Sequence, residues 1–175
     1  MTTATTAAEF EAALRPLATE EQRAAYGRYF PGDASFLGVR MRDVFALSAS
    51  SVSMPVAELE ALLESPAHEA RVGACSIMGK SATARAVPRE RNQELYELYL
   101  RRHDRIDAWD LVDLAAHQVV GSWLQKAVGW MLRIVGDIDE AVLLAHLDRH
   151  AASMSRVAVR ASLEKVDATT RARYR

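Results

Sequence analysis

Three aspartates and a tryptophan lie close together in the segment IDAWDLVDLAAHQVVGSW, which begins at Ile106. Asp107 suits the N-cap of a helix, and Asp110 suits the first turn, where the helix dipole favours negative charge. Asp113 falls one turn further in, four residues after Trp109, so both side chains project from one helix face. A carboxylate beside an indole in a partly dry cleft is suited to stabilise a developing cation or to orient a water. The spacing leaves a second interpretation open, in which Asp113 pairs with an arginine of a neighbouring helix.

The segment KAVGWMLR places a second tryptophan between two cations. Lys126, Trp130 and Arg133 have the spacing i, i+4 and i+7, so one face of a helix carries all three. Gly129 has no side chain and therefore lets another group approach the backbone closely. The three side chains are candidate binding residues, and the alternative is a core tryptophan with two solvated cations. Trp123 has no such pattern and is predicted to lie in the core.

Other residues that commonly do chemistry form weaker patterns. His146 and His150 are four residues apart, but no carboxylate or third histidine completes a zinc motif. Cys75 is the only cysteine, which excludes an intramolecular disulfide, and its apolar surroundings predict a buried side chain rather than a nucleophile. The segment FLGVR contains one glycine and does not have the pattern of a phosphate-binding loop.

Length and composition are those of an ordinary globular protein. The chain has 175 residues, half of them hydrophobic, and a formal net charge of −1, so it has no overall positive field for a polyanion. No apolar run reaches the roughly 18 residues of a membrane span, and the N-terminal segment lacks the pattern of a secretory signal. We therefore expect a cytoplasmic protein with one domain over residues 1–175, of which about the first five residues are flexible.

Helical periodicity runs through nearly the whole sequence, and no convincing strand or hairpin pattern appears. Thr19 predicts the start of a helix over about Glu20 to Tyr29. Ser53 before Pro55 predicts the N-cap of another helix. Helix pairs recur at roughly 35 to 45 residues, the spacing of HEAT-like and armadillo-like repeats. The predicted fold is an all-α, HEAT-like/armadillo-like solenoid with a concave face, and a compact helical bundle is the alternative.

Together these segments resemble the AlkD-like, HEAT-repeat class of DNA alkylation repair proteins. The most specific feature is the tryptophan–aspartate helix followed by a K-A-[IV]-G-W-x-L-R helix. The matching stretches occur in the order of the family and cover most of the chain from about residue 25 onward: FLGVRMRDVFALS, LLESPAHEARVGACSIMGK, LYELYLRRHDRIDAWDLVDLAAHQVVGSWL, KAVGWMLRIVGDID and LDRHAASMSRVAVRASLEKVD.

The resemblance implies a DNA glycosylase that excises N-alkylated purines, such as 3-methyladenine and 7-methylguanine, from double-stranded DNA. In such enzymes the aspartate that matches Asp113 stabilises the sugar cation and positions the hydrolytic water. Tryptophans that match Trp109 and Trp130 line the cleft against the deoxyribose, and Lys126 and Arg133 are expected to contact the DNA. The family works without flipping the base into a pocket. The resemblance implies no metal and no organic cofactor, and we expect a monomer that is nucleoid-associated when bound to DNA.

One part of the family pattern is missing from this sequence. The family has a further helical pair, with a W-E-R-R-x-A-I-like stretch, between the two motifs. Here only twelve residues separate Asp113 from Lys126. The glutamate that often follows the arginine of the second motif is replaced by Ile134. We therefore predict that about one repeat has been lost.

The residues around this junction are predicted to form a turn that joins the two remaining helices directly. Gly121 and Ser122 are expected to break the first helix, because glycine and serine are weak helix formers. A second helix would then start near Trp123. In that arrangement Trp130 is expected to lie beside Trp109 in one cleft, since each repeat of a solenoid mainly contacts its neighbours.

Two other classes of function remain open from the sequence. A non-catalytic DNA-binding relative would bind duplex DNA in a salt-dependent manner without releasing a base. A helical-repeat scaffold would bind protein partners and have no affinity for DNA at low salt.

Overall fold

The structure, a computed structural model, describes residues 3–30, 35–84 and 87–174. Within these ranges the chain forms ten α-helices and no β-strand, so the all-α prediction is confirmed, whereas the solenoid with a concave face stays a prediction. None of the described helices is both long and apolar enough to cross a membrane. The helices are α1 Ala7–Leu14, α2 Glu20–Tyr29, α3 Met41–Ser50, α4 Val56–Leu63, α5 His68–Thr83, α6 Arg89–Arg101, α7 Trp109–Ile138, α8 Glu140–His150, α9 Arg156–Ser162 and α10 Ala168–Ala172.

The residues pack into two compact units, Met1–Val120 and Gly121–Arg175. The boundary falls within α7. The expectation of one domain over residues 1–175 stays a prediction. Of the N-terminal residues expected to be flexible, residues 1 and 2 lie outside the described residues. Ala4 is buried, and its N–H donates to Ser51 Oγ at 3.2 Å.

Helix α5 forms the centre of the N-terminal unit. Fourteen of its sixteen residues are buried, which is typical of a helix surrounded by others. Large side chains such as Phe10, Leu59 and Leu95 join it in one hydrophobic core. Cys75 lies in this core, and burial raises the pKa of its thiol to about 12. The prediction of a buried cysteine is therefore confirmed, and its thiol is not poised to be a nucleophile.

Glu69, in the first turn of α5, holds the FLGVR segment against the core. Its fully buried carboxylate accepts from the backbone N–H groups of Leu37, Gly38 and Val39, at 2.9, 2.7 and 3.1 Å. Gly38 has a φ of 95°, and a side chain there would overlap the Thr19 carbonyl oxygen. The N–H groups of this segment thus face a carboxylate of the chain itself, which fits the expectation that it is not a phosphate-binding loop.

The helix starts predicted from Thr19 and from Ser53 have different outcomes, and the one predicted from Ser53 is wrong. Helix α2 spans the predicted residues, and Thr19 Oγ1 accepts a backbone N–H at its start. Helix α4 does not start at Ser53, because Pro55 occupies its N-cap position. Met54 is fully buried, and its N–H closes a turn onto the Ser51 carbonyl at 3.0 Å. Burial of this methionine therefore moves the helix start beyond the serine.

Helix α7 runs without interruption from Trp109 to Ile138, so the predicted break at Gly121 and Ser122 is wrong. A glycine within a helix costs only about 1 kcal/mol relative to alanine. Val119 and Gly129, on either side of the junction, are both buried. The burial of the flanking turns outweighs the weak helix propensity of two residues.

The C-terminal unit depends on a close approach of α9 to α7. A Cβ atom added to Gly129 would lie 2.6 Å from both the Ala158 carbonyl oxygen and the Ala161 Cβ. The prediction that Gly129 admits another group close to the backbone is therefore confirmed, and the group is a helix. The core of this unit consists of Leu143, Leu147, Val159, Leu163 and Val166.

Replacement of Gly129 by alanine is expected to lower the free energy of unfolding by about 2 kcal/mol, because the added methyl group forces α7 and α9 apart. Gly121→Ala is the matched control in the same helix. Apart from the adjoining backbone of α7 itself, no atom of the described residues lies within 4 Å of its added Cβ, so the control should gain about 1 kcal/mol from helix propensity. Urea unfolding followed by circular dichroism measures both changes. Equal stability of the two variants would contradict the tight contact.

Candidate functional site

The start of α7 is fixed by a contact with α5. The Ala108 carbonyl accepts the first helical hydrogen bond, from the Val112 N–H at 3.1 Å. Asp107 therefore precedes the N-cap position, and the prediction that it is the N-cap is wrong. Its carboxylate instead accepts from Arg71 Nη1 at 2.8 Å. An arginine on the central helix has taken the place of the backbone N–H as the partner of this aspartate, because a guanidinium offers a charged donor.

Asp110 lies in the first turn of α7, as predicted, and has a second role there. Its Oδ2 lies 2.7 Å from Nε2 of His68, which is 1% exposed on α5. The His68 ring also contacts Phe30 and Phe36, with centroid distances of 5.1 Å to each. The pair therefore anchors the beginning of α7 to α5 and to an aromatic cluster.

Trp109 is the first residue of α7 and remains largely open to solvent. It is 69% exposed. Its ring is nearly parallel to that of Phe30, with 6.1 Å between centroids and 11° between planes. Stacking of this kind fixes the orientation of an aromatic ring. Trp109 therefore presents an oriented indole that is still accessible to a ligand.

A cavity of about 410 Å³ lies beside these rings in the N-terminal unit. Its lining is mostly aromatic and aliphatic, and its two charged members are Asp110 and Asp113. Trp109 lines the same cavity, so the prediction that Trp109 and Asp113 share a face is confirmed. The lining residues are Tyr26, Tyr29, Phe30, Met41, Phe45, Val72, Trp109, Asp110, Asp113 and Leu114.

The two carboxylates of the cavity differ in their partners. Asp110 is paired with His68, whereas no lysine or arginine nitrogen of the described residues lies within 4.0 Å of the Asp113 carboxylate. The alternative interpretation, in which Asp113 pairs with an arginine of a neighbouring helix, is therefore wrong for the described part of the chain. Asp113 is also exposed. Its negative charge is thus available to a cationic group that enters the cavity.

The aromatic wall of the cavity was not predicted from the sequence. Tyr26, Tyr29 and Phe30 lie at or just beyond the end of α2, and Phe45 comes from α3. Tyr26 and Tyr29 of α2 and Phe30 directly after it have the spacing i, i+3, i+4, which is typical of one helix face and was the available signal. The chain elements that bring this face to Trp109 are about 80 residues apart in sequence, so periodicity alone does not reveal the pairing.

The predicted binding residues Lys126 and Trp130 lie in the C-terminal unit. Lys126 is half-buried, and burial together with the nearby Arg160 lowers the pKa of its ammonium group. Trp130 packs edge-on against Trp123, with 5.3 Å between ring centroids. Both tryptophans are half-buried, so the prediction of a core position for Trp123 is wrong. The two indoles cover each other at the surface of the helix.

Arg133, the third predicted binding residue of this segment, forms an ion pair with Glu164. Its side chain is 24% exposed, so it is neither a solvated cation nor an open phosphate ligand in this conformation. A ligand anion would have to compete with the Glu164 carboxylate for the guanidinium.

The structure contains no group of three or more histidine, cysteine, aspartate or glutamate side chains, within the ranges it describes, that is placed to hold a metal ion.

The sequence model of one protein family, the DNA alkylation repair enzymes, matches residues 10–125 and 122–166. The chain belongs to the DNA alkylation repair enzyme family. The resemblance drawn from the sequence is thereby confirmed. The two matched segments overlap at residues 122–125, between Asp113 and Lys126, where a helical pair of the family pattern is predicted to be missing. Comparison with curated proteins and with solved structures gives no match.

In this DNA alkylation repair protein the predicted site residues fall into two groups. Trp109 and Asp113 line one cavity of the N-terminal unit. Lys126, Trp130 and Arg133 belong to the C-terminal unit. The expectation that both groups face a single cleft stays a prediction.

Proposed function

We propose that the chain is a DNA glycosylase that hydrolyses the N-glycosidic bond of purines alkylated at N3 or N7. Asp113 is the catalytic residue in this proposal, and Trp109 contacts the deoxyribose. Trp130, Lys126 and Arg133 are proposed to bind the DNA. Membership of the DNA alkylation repair family supports DNA repair as the process.

One observation carries the proposal: an exposed carboxylate without a cationic partner shares an apolar, aromatic cavity with an oriented indole. No lysine or arginine of the described residues forms an ion pair with the Asp113 carboxylate, which leaves the carboxylate open to a cationic substrate. The apolar wall lowers the local dielectric, so an ion-pair contact with substrate is stronger there than in bulk water. Such a site suits a substrate that becomes cationic.

A cationic alkylpurine is already a good leaving group. When the bond between C1′ and the purine nitrogen breaks, its electron pair moves to the base and neutralises the positive charge there. Positive charge then appears on C1′ and the ring oxygen of the sugar. Asp113 would stabilise this charge and orient a water, whose oxygen bonds to C1′ and whose proton passes to the carboxylate or to solvent. A preorganised electrostatic contact of this kind contributes on the order of 3 kcal/mol.

Release of 7-methylguanine from methylated duplex DNA tests the proposal. The wild-type protein should release the base from the methylated duplex, and it should release no guanine from an unmethylated duplex of the same sequence. Chromatographic separation of free base from DNA is the measurement. Absence of release at protein concentrations that saturate the duplex would overturn the proposal.

Trp109→Leu is expected to reduce the rate of base release about tenfold, because a cation–π contact contributes about 1 to 2 kcal/mol when partly desolvated. Trp109→Phe keeps an aromatic face and should retain most of the rate. Single-turnover release of 7-methylguanine measures both variants. Equal loss in both would assign the effect to the shape of the indole rather than to its aromatic face.

DNA binding without catalysis is the second candidate function. The observation that favours it is the division of the family match at residues 122–125, between Asp113 and the second motif. A protein of this kind would bind methylated and unmethylated duplexes with salt-dependent affinity and release no base. The release assay therefore distinguishes the two candidates.

A further inference from the structure

A second cavity, of about 450 Å³, lies wholly within the C-terminal unit. Three of its lining residues are arginines, and its other members are mostly apolar. Arg156 and Arg160 lie one turn apart on α9, and Arg171 comes from α10. The lining residues are Arg156, Val157, Val159, Arg160, Leu163, Ala168, Arg171 and Tyr174.

None of the three guanidinium groups has a carboxylate within 4.0 Å among the described residues, which extend to Tyr174. All three arginines are exposed. Arg156 Nη1 donates to the Tyr174 carbonyl oxygen at 3.3 Å, which holds this side chain at the cavity. The remaining N–H donors of the cluster are thus open to an anion from outside the chain.

Most carboxylates of the C-terminal unit are engaged elsewhere. Asp148 accepts from the Tyr174 hydroxyl at 2.6 Å and from Arg173 at 3.3 Å. Asp139 and Asp167 accept backbone N–H groups at helix starts. The other engaged pairs are Asp137 with Lys165 and Glu164 with Arg133. Arg156 and Arg160 therefore have no carboxylate partner among the described residues although the unit contains acids, and Arg171 has a longer-range attraction to Asp167, whose pKa it helps to lower.

Positive charge is concentrated around this cavity. Arg160 lies close enough to Lys126 to lower the pKa of its ammonium group together with burial. The C-terminal unit has nine lysines and arginines against six aspartates and glutamates, a formal charge of +3. The N-terminal unit has thirteen against seventeen, a formal charge of −4. Crowded cations with few close counter-charges are unfavourable alone and become favourable when an anion binds.

We infer that Arg156, Arg160 and Arg171 form a binding site for a phosphodiester of the DNA backbone, and none of these residues lines the cavity of Asp113. Guanidinium groups match phosphate oxygens in a planar, bidentate geometry. The apolar floor of Val157, Val159 and Leu163 suits the sugar next to the phosphate. The volume of about 450 Å³ leaves room for a sugar beside the phosphate. The inference rests on the proposed function in taking DNA as the polymer.

The test measures affinity for an unmodified, end-labelled duplex by fluorescence anisotropy at several salt concentrations between roughly 50 and 200 mM. The test protein is the double variant Arg156→Gln/Arg160→Gln. The matched control is Arg149→Gln/Lys165→Gln, which removes the same charge from two exposed positions outside the cavity. Arg160→Gln alone is a further test variant, because the structure gives this side chain no hydrogen bond among the described residues whose loss could unfold the unit.

We expect the test variant to bind at least tenfold more weakly than the control at 100 mM salt. The slope of log K against log salt should fall by about 0.9 for each phosphate contact that is lost. Arg160→Gln should show the same change to a smaller extent. Equal affinity of the test and control variants would overturn the inference. Stabilisation of the wild type by inorganic phosphate in thermal unfolding, without a difference in DNA binding, would also overturn it in favour of a free-anion site.

The outcome is separable from that of the proposed function. A wild type that shows the predicted difference in DNA binding but releases no base supports the arginine site and overturns the glycosylase. If the wild type releases 7-methylguanine while the test and control variants bind DNA with equal affinity, the glycosylase proposal is supported and the arginine site is overturned.

Discussion

Replacement of Asp113 by asparagine is expected to lower the rate of 7-methylguanine release about 10²- to 10³-fold, the usual effect of removing one preorganised electrostatic contact from a transition state. Asparagine has nearly the same shape but no charge, so it cannot balance positive charge on the sugar. Single-turnover release from methylated duplex DNA measures the effect. Because Asp113 is exposed and has no cationic partner among the described residues, its removal should leave the fold intact.

Asp104→Asn provides the control for this experiment. Asp104 is an exposed carboxylate of the same unit that lies outside the cavity and pairs with Arg102 at 3.4 Å. Its release rate should stay within about twofold of the wild type, since exposed ion pairs contribute little. The affinity of Asp113→Asn for unmodified duplex should also remain close to that of the wild type. Equal base release by Asp113→Asn and the wild type would remove Asp113 from the mechanism.

Replacement of Glu69 by alanine is expected to lower the free energy of unfolding of the N-terminal unit by about 4 kcal/mol. The substitution leaves the backbone N–H groups of Leu37, Gly38 and Val39 without their acceptor, and an unsatisfied buried donor costs about 1 to 3 kcal/mol. The expected fall in Tm is about 10 °C. Thermal unfolding followed by circular dichroism measures it.

Glu94→Ala is the matched control, because Glu94 is exposed on α6. A change of less than about 0.5 kcal/mol is expected there. Glu69→Gln should fall between the two, since an amide keeps one oxygen acceptor but turns a donor towards an N–H group. If Glu69→Ala unfolded at the same temperature as Glu94→Ala, the carboxylate would not hold the 37–39 segment in solution.

Local sequence patterns predicted the structure correctly where the interactions that fix it lie within one helix or one short segment. Helix α2 occupies the residues predicted from Thr19, because an N-cap acts through hydrogen bonds within its own turn. The shared face of Trp109 and Asp113 follows from the helical repeat. Burial of Cys75 follows from a run of apolar neighbours. The family itself was recognisable from the order of its motifs, and the family match confirms it.

Predictions failed where a contact from another part of the chain competed with a local preference. Asp107 has the chemistry of an N-cap, but Arg71 supplies a stronger, charged donor to it. Ser53 would suit the N-cap of α4, but burial of Met54 in the core moves the helix start. Gly121 would weaken a helix, yet α7 continues through it because the turns on both sides are buried.

The amino-acid sequence by itself determined that the chain is helical, that it belongs to the DNA alkylation repair enzymes, and that Asp113 and Trp109 point the same way. Only the tertiary structure decided that Tyr26 and Phe30 wall their cavity, that Asp113 has no cationic partner among the described residues, and that arginines of α9 and α10 line a second cavity. The physical reason is the distance along the sequence over which each interaction acts. Capping and helical periodicity act over a few residues, whereas the charge state and the walls of a site depend on packing between segments that lie far apart in sequence.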